Sequence, residues 1–140
     1  TRTLRLYTIV PNLDRMAAKR YVVPGHPNFV IEAGQSVIIP SSAIHHDPSI
    51  YPEPFEFRPE RFSPEESAGR PSVAWLPFGD GPRNCIGLRF GQMQARIGLA
   101  LLIRNFKFST CSKTPNPLVY DPKSFVLGVK DGIYLKVETV

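Results

Sequence analysis

The chain has 140 residues, 42% of them hydrophobic, and 17 Lys and Arg against 12 Asp and Glu give a net charge of +5. That length supports one modest core and a single domain, and no apolar run approaches the ~20 residues that a membrane-spanning helix needs. The basic residues are scattered without aromatic interleaving, which argues against a nucleic-acid platform and for a solvated surface or an acidic protein partner steered by charge.

In chain order, Thr1-Arg2-Thr3-Leu4-Arg5-Leu6-Tyr7 reads as the last turns of a helix, and the chain, which has no initiator methionine, is expected to be a C-terminal fragment. From Arg20 to Pro40, short β-branched runs (Tyr21-Val22-Val23, Phe29-Val30-Ile31, Val37-Ile38-Ile39) alternate with Pro24-Gly25 and Ala33-Gly34 turn signals, the pattern of a small antiparallel sheet. Ser41 and Ser42 are placed to cap a short helix through His46, stopped by Asp47-Pro48. His45 and His46 then lie at a helix end, where positive charge is mildly favourable. Neither has metal-ligand spacing, and His26 is a turn residue.

Prolines at 48, 52, 54, 59, 64, 71, 77 and 82 exclude regular helix or sheet and predict a long irregular segment. Its aromatics Phe55, Phe57, Phe62 and Trp75 argue that it is ordered. Ile86 to Arg104 is the clearest helix, with Ile86, Phe90, Met93, Ile97 and Leu101 on one apolar stripe that should pack on a core. Beyond it lie strand-like runs at Lys107-Phe108, Leu118-Val119-Tyr120, Phe125-Val126-Leu127 and Ile133 to Val137. Asp131-Gly132 predicts a hairpin between the last two. The two cysteines, Cys85 and Cys111, lack finger spacing and are expected to be reduced.

The most informative stretch is Phe78-Gly79-Asp80-Gly81-Pro82-Arg83-Asn84-Cys85-Ile86-Gly87. It puts a cysteine at the end of a glycine-punctuated loop just before the long helix, where first-turn N–H groups and the helix dipole favour a thiolate. Gly79, Gly81 and Gly87 remove side chains where the backbone would approach something flat and bulky. Phe78 is placed to shield the sulfur and Arg83 to meet an anionic group beside it. A shielded cysteine thiolate is one of the few protein ligands suited to haem iron.

This stretch resembles the haem-binding signature of the cytochrome P450 monooxygenases, Phe-Gly-x-Gly-x-Arg-x-Cys-x-Gly, at all six fixed positions. His45-His46-Asp47-Pro48, Pro59-Glu60-Arg61-Phe62 and the helix after Cys85 follow in the family's order and spacing. The resemblance implies a mainly α fold with small antiparallel β-sheets. Residues 1–140 would be the C-terminal part of a single haem domain: the end of a helix, a β-sheet, a meander, the Cys-ligand loop, a long helix and a terminal β-hairpin. It also implies haem b as cofactor, with Cys85 as the iron ligand whose electron donation favours O–O cleavage. Phe78, Gly79, Arg83, Ile86 and Gly87 would surround the haem, Arg83 and Arg15 would meet its propionates, and Ile9, Val10, Pro11 and Ser124 to Leu127, notably Phe125 and Val126, would border the substrate cavity.

The implied activity is insertion of one oxygen atom from O2 into a lipophilic small molecule. Electrons would come from NADPH through a flavoprotein reductase docking on a basic face that includes Arg89 and Arg96, with cytochrome b5 an optional second donor. The likeness is strongest to microsomal insect members that clear xenobiotics, held by an N-terminal anchor on the cytoplasmic face of the endoplasmic reticulum membrane. A haem-thiolate isomerase or dehydratase and a non-catalytic truncated or pseudogene product are the alternatives. One departure stands out. The family's Glu-x-x-Arg pairs its glutamate with that arginine and with the arginine of Pro-Glu-Arg-Phe. Here Arg5 and Arg61 match the arginines, but Arg2 stands at the glutamate position, so three cations would converge without a carboxylate. Breaking such a network typically costs about 3–5 kcal/mol.

Overall fold

The computed structural model describes residues 3–140; the Arg2 position therefore lies outside the described residues. The chain divides into two compact units, one ending at Pro77 and one spanning Phe78–Val140.

The first unit opens with a single helical turn, α1 (Thr3–Leu6), followed by β1 (Leu13–Met16), β2 (Tyr21–Val22), β3 (Val30–Ile31) and β4 (Ser36–Ile39). These make two separate antiparallel ladders, β1 with β4 and β2 with β3, where one small sheet was expected. β1 has no counterpart in the sequence reading. It pairs Leu13 with Ile39 and Arg15 with Val37, and these four residues form the half-buried face. Arg15 at one of the two inward positions of β1 masks the alternation that marks a half-buried strand. The β2–β3 hairpin turns through Gly25, whose φ of 77° only glycine adopts without strain.

Helix α2 (Ser41–His45) follows, one residue shorter than expected, with Pro40 at its N-cap and no side-chain cap. Ser41 caps nothing: its hydroxyl donates to the carbonyls of Val10 (3.0 Å) and Pro11 (2.9 Å), tying the helix to the segment before β1. The proline-rich stretch is irregular and ordered, as expected, except for 3-10 turns at Pro59–Phe62 and Ser72–Ala74 and a four-residue helix α3 (Pro64–Ser67). Ser63 makes that helix possible: its Oγ accepts the Glu66 N–H, and Pro64 takes the first helical position, where no N–H is needed.

This unit's core is small and unusually polar. Tyr51, Ala74 and Leu76 are its buried apolar residues, beside buried Arg5, Thr8, Ser41, His45 and Arg61. Such groups are tolerated in an interior only when hydrogen-bonded, so the architecture rests on their bonds.

The second unit holds a 3-10 turn (Gly81–Arg83), the long helix α4 (Leu88–Asn105), β5 (Phe106–Thr110) and β6 (Leu135–Thr139). α4 starts two residues later than expected, because Gly87 forms its N-cap and Ile86 precedes it. None of its residues is buried. The stripe Phe90, Met93, Ile97 and Leu101 is exposed, so it does not pack on a core within the described residues. The expected terminal hairpin is corrected as well. Asp131 (φ 60°) and Gly132 (φ 78°) do form a tight turn. However, β6 pairs back with β5 along its whole length, and Phe125 to Leu127 is in no strand. The Asp121 carboxylate accepts the Lys123 N–H (2.9 Å) and reverses the chain. Residues 128–130 therefore return beside 119–121, joined by the single bridge Tyr120–Val129.

Candidate functional site

The loop from Phe78 to Gly87 is organised by its backbone. Gly79 and Gly81 take φ values of 71° and 74°, the left-handed region that costs an L-residue about 1–2 kcal/mol. Nothing lies within 4 Å of where a Cβ on Gly81 would sit, so conformation alone calls for glycine there. The Asn84 N–H donates to the Gly81 carbonyl (3.1 Å) and the Cys85 N–H to the Phe78 carbonyl (2.8 Å), closing the loop and fixing where Cys85 stands. The Cys85 carbonyl then accepts the Leu88 N–H (3.3 Å), which starts α4.

Cys85 is exposed and in no disulfide. It precedes the helix's first residue by three positions, one turn further out than a thiol seated on first-turn N–H groups. A Cβ on Gly87 would lie 3.9 Å from Sγ, so glycine leaves that flank of the sulfur open. Phe78 is half-buried, while Arg83 and Ile86 are exposed. Among the described residues no group of three or more His, Cys, Asp or Glu could hold a metal ion. A lone exposed thiol suits a metal that brings most of its own ligands. An iron porphyrin is such a group: Cys85 could be its one protein ligand, and the exposed loop leaves an open approach.

The other expected site residues are placed as follows. In the first unit, Arg15 is half-buried on β1, its Nη1 donating to the Asp14 carbonyl (2.8 Å). Ile9 is exposed, and Val10 and Pro11 are half-buried with their carbonyls taken by Ser41. In the second unit, Phe125 and Val126 are exposed.

Arg5 and Arg61 are 2% and 3% exposed. Arg5 donates to the carbonyls of His45 (2.8 Å) and Glu56 (3.1 Å), and Arg61 to that of Glu53 (2.8 Å). Among the described residues, main-chain carbonyls are thus the hydrogen-bond partners of both guanidinium groups. The third cation of the cluster, among the described residues, is Arg70: its guanidinium lies 4.8 Å from the Tyr51 ring centroid, and that of Arg5 lies 5.1 Å from the same ring. Burial, and after it the charge of Arg61, lowers the pKa of Arg5.

His45 does end α2, as expected, but it carries no charge there. It is fully buried; Nε2 accepts the Leu76 N–H (2.8 Å) and Nδ1 lies 2.8 Å from Thr8 Oγ1. An acceptor at Nε2 leaves the proton of the neutral ring on Nδ1, facing Thr8. Thr8 in turn donates to the carbonyls of Arg5 (3.2 Å) and Leu4 (3.3 Å). Burial first, then the His46 and Arg5 charges, depress the His45 pKa to about 4, so the ring is neutral at physiological pH. Sequence reading missed this hub, and Tyr51 and Arg70 with it, because the partners of His45 lie 37 and 31 residues away.

The family model described as Cytochrome P450 matches residues 3–136. Among curated proteins, "Probable cytochrome P450 6a18" of Drosophila melanogaster is 81% identical over 139 residues, 99% of this chain and 27% of that protein. "Cytochrome P450 6a2" of the same species is 63% identical over 138 residues, again 99% and 27%. "Cytochrome P450 6A1" of Musca domestica is 51% identical over 140 residues, 99% and 28%. The chain spans about a quarter of the length of these relatives.

Proposed function

The chain belongs to the cytochrome P450 family, and from that premise we propose that it is the C-terminal, haem-binding part of a haem-thiolate monooxygenase acting on a lipophilic small molecule. The observation that carries this reading is an exposed, disulfide-free Cys85 on a loop closed by its own N–H and opened by two left-handed glycines.

Cys85 Sγ would hold the haem iron. Gly87 leaves the sulfur's flank open, Phe78 would shield the sulfur once haem is bound, Ile86 would border the haem, and Gly79 and Gly81 would let the loop backbone approach the macrocycle. By the family resemblance Arg83 would meet a propionate, and Arg15 is the proposed second partner, since a planar guanidinium binds carboxylates bidentately. Bound haem would supply the O2 activation that amino-acid side chains lack, with Cys85 as its electron-donating ligand. Ile9, Val10, Pro11, Phe125 and Val126 offer apolar surface to the substrate. Arg89 and Arg96, exposed on α4, belong to the face where an NADPH-dependent flavoprotein reductase, and optionally cytochrome b5, would dock through complementary charge.

Within this reading the enzyme would be a microsomal one of xenobiotic clearance on the endoplasmic reticulum; the similarity to insect cytochrome P450 relatives is what supports its insect type. No helix among the described residues is long and apolar enough to cross a membrane. Expressed by itself, the 140-residue chain would bind haem weakly and not turn over. Oxygen uptake by the complete polypeptide, reconstituted with its reductase and haem, tests the reading. NADPH-dependent uptake stimulated by a lipophilic substrate is expected, whereas turnover of a peroxide without NADPH would indicate an isomerase or dehydratase.

A further inference from the structure

Within the second unit lies a cleft of about 300 Å³ whose lining includes none of the residues proposed to meet haem, substrate or reductase. Lys113 and Pro115 contribute to it from one stretch, Val119 from a second, and Lys130, Asp131 and Tyr134 from a third. Hydrogen bonds between these stretches fix the frame. Thr114 Oγ1 accepts the Cys111 N–H (2.8 Å) and donates to the Tyr134 carbonyl (2.6 Å), and the Lys130 N–H donates to the Val119 carbonyl (2.8 Å). The ion pairs among the described residues involve neither lysine of the lining, nor Asp131. Two uncommitted ammonium groups thus share a cleft with one carboxylate and with the apolar surfaces of Pro115, Val119 and the Tyr134 ring.

We propose that this cleft is a binding site for a small aromatic monocarboxylate, its carboxylate shared by Lys113 and Lys130 and its ring laid against Pro115, Val119 and Tyr134. A lysine ammonium is a point charge on a flexible stem, so two of them adapt to one carboxylate, and hydrogen bonds between ionised partners are about twice as strong as neutral ones. The Tyr134 ring offers an aromatic ligand an offset or edge-on partner. The volume lies at the lower end of the range for small-molecule sites, about 300–1,000 Å³, which suits a ligand of one ring. Asp131 sets the charge limit. Two lysines less one aspartate leave a single positive charge, which one carboxylate neutralises, whereas a phosphate dianion would exceed it and leave the apolar walls uncovered. The site draws on this unit alone and does not depend on what Cys85 binds.

Binding is read at the lysines themselves, because an aromatic probe could also bind elsewhere in the enzyme. The complete, haem-loaded polypeptide is trace-labelled with acetic anhydride at fixed ionic strength. Acetylation of each lysine is followed by mass spectrometry while benzoate, uncharged benzamide or phosphate is titrated. Benzoate should protect Lys113 and Lys130 saturably with one midpoint and leave Lys123 and Lys136 unaffected, while benzamide and phosphate give no protection. Lys130→Gln should weaken the protection of Lys113 about tenfold, since a charge-assisted hydrogen bond is lost. Asp131→Asn should tighten benzoate binding and admit phosphate; asparagine tolerates the left-handed conformation of Asp131 (φ 60°), so this variant carries the test even where Lys130→Gln does not fold. The proposal is overturned by an absence of saturable protection, by equal protection from benzamide or phosphate, or by protection that spreads to Lys123 and Lys136. Asp131→Asn holding benzoate no more tightly than the parent overturns it as well.

Discussion

Protonating His45 should open the core of the first unit. Nε2 accepts the Leu76 N–H at 2.8 Å; a second proton would set two N–H groups against each other in a fully buried position. The folded-state pKa of about 4 lies below the ordinary 6.5, so between these values the unfolded chain binds more protons than the folded one. Stability is therefore fully present above pH 6.5 and is lost as pH falls toward 4. At ~1.4 kcal/mol per pH unit, the span amounts to about 3 kcal/mol, a factor of about 300. Hydrogen exchange at Leu76 N–H, corrected for its intrinsic pH dependence, measures this locally. Its protection should fall about tenfold per pH unit below 6.5 and level off near pH 4, and in His45→Gln the slope should vanish. Protection that stays flat from pH 7 to 4, or a His45 ring titrating near 6.5, would refute the reasoning.

Thr8→Val should leave His45 Nδ1–H without an acceptor and cost about 1–3 kcal/mol in chemical denaturation. Gly81→Ala should destabilise the Cys85 loop by about 1–2 kcal/mol, because its φ of 74° is penalised for any L-residue. Gly87→Ala, with its methyl at an ordinary 3.9 Å from Sγ, should change stability little but slow alkylation of Cys85. At the other cysteine, Thr114 Oγ1 lies 3.5 Å from Sγ and its hydrogen bond lowers the Cys111 pKa. Thr114→Val should therefore slow iodoacetamide labelling of Cys111 at neutral pH, followed by mass spectrometry.

What could be read from the sequence was chemistry concentrated in consecutive residues. The glycines around Cys85 and the periodic run behind it needed no distant partner to be recognised, nor did the β-branched strands between turn signals. Long-range pairing was not legible. β5 joins β6, 25 or more residues later, while Asp131-Gly132 announced a turn correctly but said nothing of which segments it would align. β1 was hidden by Arg15, an inward residue whose long stem is half-buried although its type reads as surface. The burial of His45 was not legible because it comes from Thr8 and Leu76, and the partners of Arg5 and Arg61 were not legible because main-chain carbonyls carry no sequence signature.

The central proposal is that Cys85 Sγ would be the protein ligand of a haem iron. Its most direct test is the absorption spectrum of the reduced, carbon-monoxide-bound haem in the complete polypeptide, compared between the parent and Cys85→His. The account predicts a thiolate-ligated spectrum in the parent that becomes imidazole-like, or is lost together with the haem, in the variant. The same thiolate spectrum in both would contradict it, since the ligand would then be another sulfur.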